Sequence, residues 1–183
     1  MDKYLAREIG VSALVKLCDR FYQHCFDTPT IDQFIRDHND PHGERLGKWL
    51  YEMMDSSSTI WSDDLRSRSK CPVETTAGDV VVNSRQAAHF AAWNCVKRAA
   101  KDKGKRFSLH DSVIWMRLFF LSAKEEGLLT NAQFLSFTER FLDRFIGFYN
   151  YTASDHVQSS LEWALNDQKV AAYLKTRVMK DLP

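Results

Sequence analysis

The chain has 183 residues, 44% of them hydrophobic, 13% aromatic and 27% charged. At about 100–200 residues per domain this is one domain with material for a real core, and its 12 Phe, 5 Trp and 6 Tyr exclude a chain that stays disordered. Its 25 Lys and Arg against 24 Asp and Glu leave a net charge of +1 with no long run of either sign, which argues against nucleic acid as a partner.

The most apolar stretch, Val113 to Ala123, is short and carries Arg117 in its middle, so it reads as a buried helix and not as a membrane span. Met1-Asp2-Lys3-Tyr4 has no signal pattern, and Asp2 stands where myristoylation needs glycine. A cytoplasmic location is the expectation. Cys18, Cys25, Cys71 and Cys95 form no C-x-x-C pair, so reduced thiols are expected, two of them on a core face. Asn150-Tyr151-Thr152 matches a glycosylation sequon, which carries little weight without a signal peptide.

Seven Gly, four Pro and long stretches of helical spacing predict an all-α chain. The first clear helix spans 11–26, with Val11, Leu14, Val15, Cys18, Phe21, Tyr22, Cys25 and Phe26 as a wide apolar stripe and Pro29 beyond its end. A short turn over 31–35 carries Phe34. Asp40-Pro41 reads as an acidic cap with proline at the first helical position. The helix that follows sets His42, Arg45, Leu46, Trp49, Leu50 and Met53 on one face. Residues 55–82, rich in Ser, Thr and Asp, read as a long surface insertion in which Val80-Val81-Val82 is the only strand-like run.

An alanine-rich helix then runs from Asn83 to about Ala100 and carries His89 and Trp93. After a linker over 101–106, Ser108 and Asp111 form a capping-box pattern that opens a helix to about Glu126. Phe134, Phe137, Phe141, Phe145 and Phe148 mark the next helix. A last one is expected over 155–178, with Val157, Leu161, Ala164 and Leu165 on one face.

There is no G-x-S-x-G, P-loop, G-x-G-x-x-G or H-E-x-x-H, so acyl transfer, nucleotide binding and zinc hydrolysis have no support. Two histidines on helix faces stand out, His42 and His89. A lone helical His is more often a surface or core residue than a ligand, and His24, His38, His110 and His156 keep that reading. His89 differs in its neighbours: Ala87, Ala88, Ala91 and Ala92 leave a low wall that a large flat group could approach.

Taken in order, Phe21-Tyr22, Phe34, Asp40-Pro41-His42-Gly43-Glu44-Arg45-Leu46, His89 and Val113-Ile114-Trp115-Met116-Arg117 resemble a truncated haemoglobin, most of all group II and its longer eukaryotic relatives. The resemblance covers about 11–54 and 83–126. It implies a globin-like, two-over-two helical sandwich holding haem b, within a single domain 1–183 whose core is about 11–151 and whose 152–183 are a helical extension. It gives His89 as the axial iron ligand, with Tyr22 and Trp115 as distal hydrogen-bond donors and His42 as a distal gate. Leu46 would stand over the iron, Phe34, Trp49 and Trp93 would pack on the macrocycle, and Arg45 would pair with a propionate.

Met53-Met54-Asp55-Ser56 replaces the Gly-Gly motif that usually ends the distal helix, and the 55–82 insertion lengthens the path to His89. The implied function is binding of oxygen, nitric oxide or carbon monoxide for storage, transport or sensing, or nitric oxide dioxygenation supported by a reductase. A peroxidase-like activity is a third use of the same iron. The rival class is a cofactor-free helical interaction protein with the same packing.

Overall fold

The computed structural model describes residues 3–35, 37–67, 74–75, 78–79, 93–94 and 99–183. These hold helices α1 (Lys3–Ile9), α2 (Val11–Phe26), α3 (Pro29–Asp32), α4 (His42–Met54), α5 (Ile60–Ser67), α6 (Leu109–Glu125), α7 (Ala132–Ile146), α8 (Val157–Leu165) and α9 (Asp167–Thr176). Apart from one two-residue antiparallel pair, Glu74–Thr75 with Gly78–Asp79, the described residues have the all-α character expected. They group into two compact units, Met1–Trp61 with Phe107–Pro183, and Ser62–Arg106.

Helix α2 has the bounds read from its apolar stripe. Its start is set by Gly10, whose φ of 78° lets the chain turn out of α1, a helix the sequence reading did not anticipate. The capping box at α6 forms as expected: Ser108 Oγ accepts from the Asp111 N–H at 3.2 Å, and Asp111 Oδ2 accepts from the Ser108 N–H at 2.8 Å. Helix α6 is the central helix, buried at every position from Asp111 to Ala123 except Trp115. Among the described residues, no helix is long and apolar enough to cross a membrane.

Three expectations are corrected. Helix α4 begins at His42 with Pro41 as its N-cap, one residue late, because the Asp40 carboxylate accepts from Arg45 Nη2 at 3.4 Å and does not cap the helix. The stretch read as loop from residue 55 contains α5, whose Trp61 is 7% exposed and donates its backbone N–H to Glu52 Oε2 at 3.0 Å. The single C-terminal helix is two, because Asn166 closes α8 and caps α9 by accepting from the Lys169 N–H at 3.0 Å. On α8, Val157, Leu161 and Ala164 are buried as expected, but Leu165 is exposed and Trp163 is buried in addition. Val80-Val81-Val82 and His89 lie outside the described residues, as does the alanine-rich helix apart from Trp93, Asn94 and its last residues.

The most buried stripe of α4 is Gly43, Leu46, Gly47, Leu50 and Met54. Its two glycines set how closely α4 meets α2. A Cβ on Gly47 would lie 2.6 Å from Val15 Cα, and one on Gly43 would lie 2.6 Å from the Asp19 backbone nitrogen. The rising numbers 43 and 47 meet the falling numbers 19 and 15, so the two helices cross antiparallel, backbone against backbone. Leu46 and Leu50 then share one core with Leu14, Leu17 and Cys18 of α2 and with the inner face of α6.

Helices α8 and α9 add Leu161, Trp163 and Tyr173 to this same core. Arg117, 5% exposed, donates from Nη1 to the Lys180 carbonyl at 3.0 Å and from Nη2 to the Asp181 carbonyl at 2.7 Å. Its guanidinium carbon lies 5.5 Å from the centre of the Trp163 ring. The C-terminal stretch is therefore held down from inside the fold.

Cys18 and Cys25 are buried thiols, neither of them in a disulfide, with burial, helped by Asp32, pushing the Cys25 thiol well up. They stand two helical turns apart, about 10 Å along the axis, beyond disulfide reach. Iodoacetamide at neutral pH is therefore expected to leave both unmodified in native protein and to modify both in denaturant. Equal labelling in the two conditions, read by peptide mass mapping, would overturn the burial.

Candidate functional site

Tyr22 follows Phe21 on α2, and the helical step separates their tasks. Phe21 points into the core at 0% exposure, whereas Tyr22 sits at its edge, half-buried. Phe21 meets Tyr22 edge-on at 5.2 Å between ring centres and meets Trp115 of α6 edge-on at 4.8 Å. Trp115 in turn stacks flat on Phe119, 5.6 Å away and 6° from parallel. The two polar-tipped aromatics singled out in the sequence thus flank one buried phenylalanine.

His42, at the first turn of α4, stacks on the Tyr22 ring at 5.0 Å and 24°. Its Nε2–H donates to the Asp37 carbonyl at 2.8 Å, which leaves Nδ1 as the acceptor nitrogen of the neutral ring. One turn on, Leu46 is buried at 2%. Arg45 is held at one end by Asp40, while its Nε is buried with no hydrogen-bond partner among the described residues.

Phe34 and Trp49 go elsewhere in the same unit. Phe34, 9% exposed, meets Phe107 edge-on at 4.6 Å, and Phe107 lies 5.9 Å from Tyr149. Trp49 packs edge-on against Phe141 at 5.5 Å and Phe145 at 4.9 Å of α7. Phe119 lies 6.3 Å from Phe141, so a run of rings leads from Tyr22 through Phe21, Trp115 and Phe119 to α7. Trp93, in the second unit, is 8% exposed, and its carbonyl accepts from the Gly104 N–H at 2.7 Å. His89, the candidate iron ligand, lies outside the described residues.

Among the described residues, no group of three or more His, Cys, Asp or Glu could hold a metal ion by itself. What the arrangement offers is a donor-bearing aromatic wall. Tyr22 can donate or accept, Trp115 can only donate, and His42 can exchange its partner. The sequence reading missed Phe21 as the piece between the two donors, and it missed Phe107 and Tyr149 beside Phe34. A single phenylalanine at the end of a polar linker gives no periodic signal, so Phe107 could not be found that way.

The other histidines keep structural roles. His24 is buried and pairs through Nε2 with Glu125 at 2.9 Å, and His38 pairs with Asp32 at 2.6 Å while stacking on Phe26. No family model, no curated protein and no solved structure matches this chain.

Proposed function

We propose that this chain is a globin-like haem protein of the truncated-haemoglobin kind, holding oxygen or another diatomic gas beside Tyr22, Trp115 and His42. The observation that carries this reading is Trp115, the one residue of α6 between Asp111 and Ala123 that is not buried. An indole at the centre of the central helix keeps part of its surface open, next to a half-buried tyrosine and histidine. Hydrogen-bond donors set on an apolar wall are what a small polar ligand requires.

One observation favours haem b as the group: the buried Arg45 Nε. The resemblance would make His89 the iron ligand and add Leu46, Phe34, Trp49 and Trp93 as apolar contacts, although Phe34, Trp49 and Trp93 have other partners in the structure. Arg45 would face a propionate, an acceptor that satisfies its orphaned buried Nε. When bound, the haem supplies an iron whose free face takes up diatomic gases. The Tyr22 O–H and Trp115 N–H orient a polar ligand, Phe21 between them keeps water from the core side, and His42 stands at the first turn of α4. To reach inward, His42 would have to leave the Asp37 carbonyl, which makes that bond the latch of a gate. Oxygen storage or sensing and nitric oxide dioxygenation draw on the same donors, and the second also needs a reductase.

The test is haem titration of the purified chain, wild type beside His89→Ala. Wild type is expected to take up one haem per chain, with a ferrous spectrum of imidazole-ligated iron that the variant loses. No stoichiometric uptake by wild type, or an unchanged ferrous spectrum in His89→Ala, would sink the reading.

A further inference from the structure

Tyr22 meets α4 at its first residue, and beside the last residues of that helix a groove of about 640 Å³ opens along α7. Its floor is the phenylalanine ladder of that helix: Phe137 and Phe141 stack at 5.9 Å, and Phe141 and Phe145 lie 5.0 Å apart. Leu5 of α1 and Met53 and Met54 of α4 form its walls. The ladder continues outward to Phe148, 5.9 Å from Phe145 and 61% exposed, so the apolar track runs from the core to the surface. Methionine walls adapt to a flexible chain at little cost.

Arg140 and Arg144 also line this groove, one turn apart and both exposed. Arg140 donates to Ser136 Oγ at 3.2 Å, and the Arg144 guanidinium lies 5.9 Å from the Phe145 ring centre. Neither forms an ion pair with a described residue, whereas Lys16, Arg20, Lys124 and Arg177 of the same unit each reach a carboxylate. Two guanidinium groups with no ion pair among the described residues, beside an apolar trough, are complementary to an anionic head on a hydrocarbon tail.

We propose that this groove binds a monomeric long-chain carboxylate, its tail along Phe137, Phe141 and Phe145 and its carboxylate between Arg140 and Arg144. The volume lies within the range of small-ligand sites, and two arginines can grip a carboxylate with four or more N–H donors between them. Neither Tyr22, Trp115 nor His42 lines this groove, although Trp49 touches Phe141 and Phe145, and the proposal stands whether or not haem is bound.

The experiment is calorimetric titration of the purified chain with dodecanoate, below its micellar concentration, beside dodecyltrimethylammonium and anionic phosphatidylglycerol vesicles. One dodecanoate is expected to bind per chain, and the cation and the vesicles are not. Arg140→Gln with Arg144→Gln should weaken dodecanoate by roughly tenfold or more, because both charge-assisted contacts are lost. Ser136→Trp should fill the trough and abolish binding while leaving both arginines in place. Circular dichroism melts matching wild type show that the variants are folded, and both arginines are exposed positions where such exchanges are tolerated. The proposal is overturned if wild type does not bind dodecanoate, if the cation or the vesicles bind as well, or if the double variant binds within a factor of about two of wild type.

Discussion

Gly47→Ala is expected to lower the free energy of unfolding by about 3 kcal/mol, from a single added methyl group. The new Cβ would lie 2.6 Å from Val15 Cα, 2.7 Å from Val15 N and 2.9 Å from the Leu14 carbonyl carbon. All three are backbone atoms, so no side chain can swing aside. Helices α2 and α4 must separate, and Leu46 and Leu50 then lose their fit against Leu14 and Leu17. In an open helix the same exchange would stabilise by about 0.5–1 kcal/mol, so the neighbouring backbone reverses the sign. Gly147 supplies the control: it has right-handed helical geometry, and a Cβ there would meet nothing closer than the Asp143 carbonyl oxygen at 3.6 Å. Gly147→Ala should be neutral or mildly stabilising. Urea unfolding of the two variants beside wild type decides the matter, and equal midpoints for all three would refute the close crossing.

The same glycines explain why the face of α4 was read one step off. Hydrophobic periodicity counts His42, Trp49 and Met53 because they are large, and it passes over Gly43 and Gly47, which have nothing to count. The backbone-to-backbone crossing of α2 and α4 is therefore made by residues invisible to that signal. Where the signal is chemical and local it reads correctly: the stripe from Val11 to Phe26, and Ser108 with Asp111, gave boundaries the structure keeps. Asn166 hid its role because an asparagine within a polar run looks like surface until its side chain is seen to cap Lys169. Helix α5 was masked by the Ser and Asp around Ile60 and Trp61. At the site, His42 stands out by its place on a helix face, but Tyr22 and Trp115 could be singled out only through the resemblance. Nothing in their spacing says that Phe21 brings Tyr22 and Trp115 together, since α2 and α6 are joined by tertiary packing alone.

Arg117→Ala is expected to cost about 2–4 kcal/mol and to free the C-terminal stretch. The guanidinium is buried, and that burial pulls its pKa down while Asp181 partly restores it. Its two N–H···O=C bonds, to Lys180 and Asp181, and its place beside Trp163 tie the last residues to the central helix. Truncation removes both bonds and leaves a void next to an indole. Lysine should not rescue it, because a single ammonium cannot span two carbonyls as the planar fork does. Two readouts are expected to move together: the urea midpoint falls, and trypsin cuts early after Arg177 and Lys180. Wild-type resistance to trypsin in the variant would show that the tail is held by other contacts.

The larger compact unit is written in two stretches of sequence, Met1–Trp61 and Phe107–Pro183, and this sets the order in which the chain can fold. Arg20 meets Glu126 across 106 positions, Glu8 meets Asn131 across 123, and Thr28 meets Tyr173 across 145. Helices α2 and α4 can pair early at their glycine crossing, since they are neighbours along the chain. Their remaining faces, with Phe21 and Leu17 uncovered, must wait until α6 has been made. Contacts of such long range are closed late, after the entropy of a large loop has been spent. During synthesis α2 and α4 therefore spend an interval as an apolar hairpin in need of a lid. The growing chain is most exposed to aggregation in that interval, and a chaperone would find its substrate there.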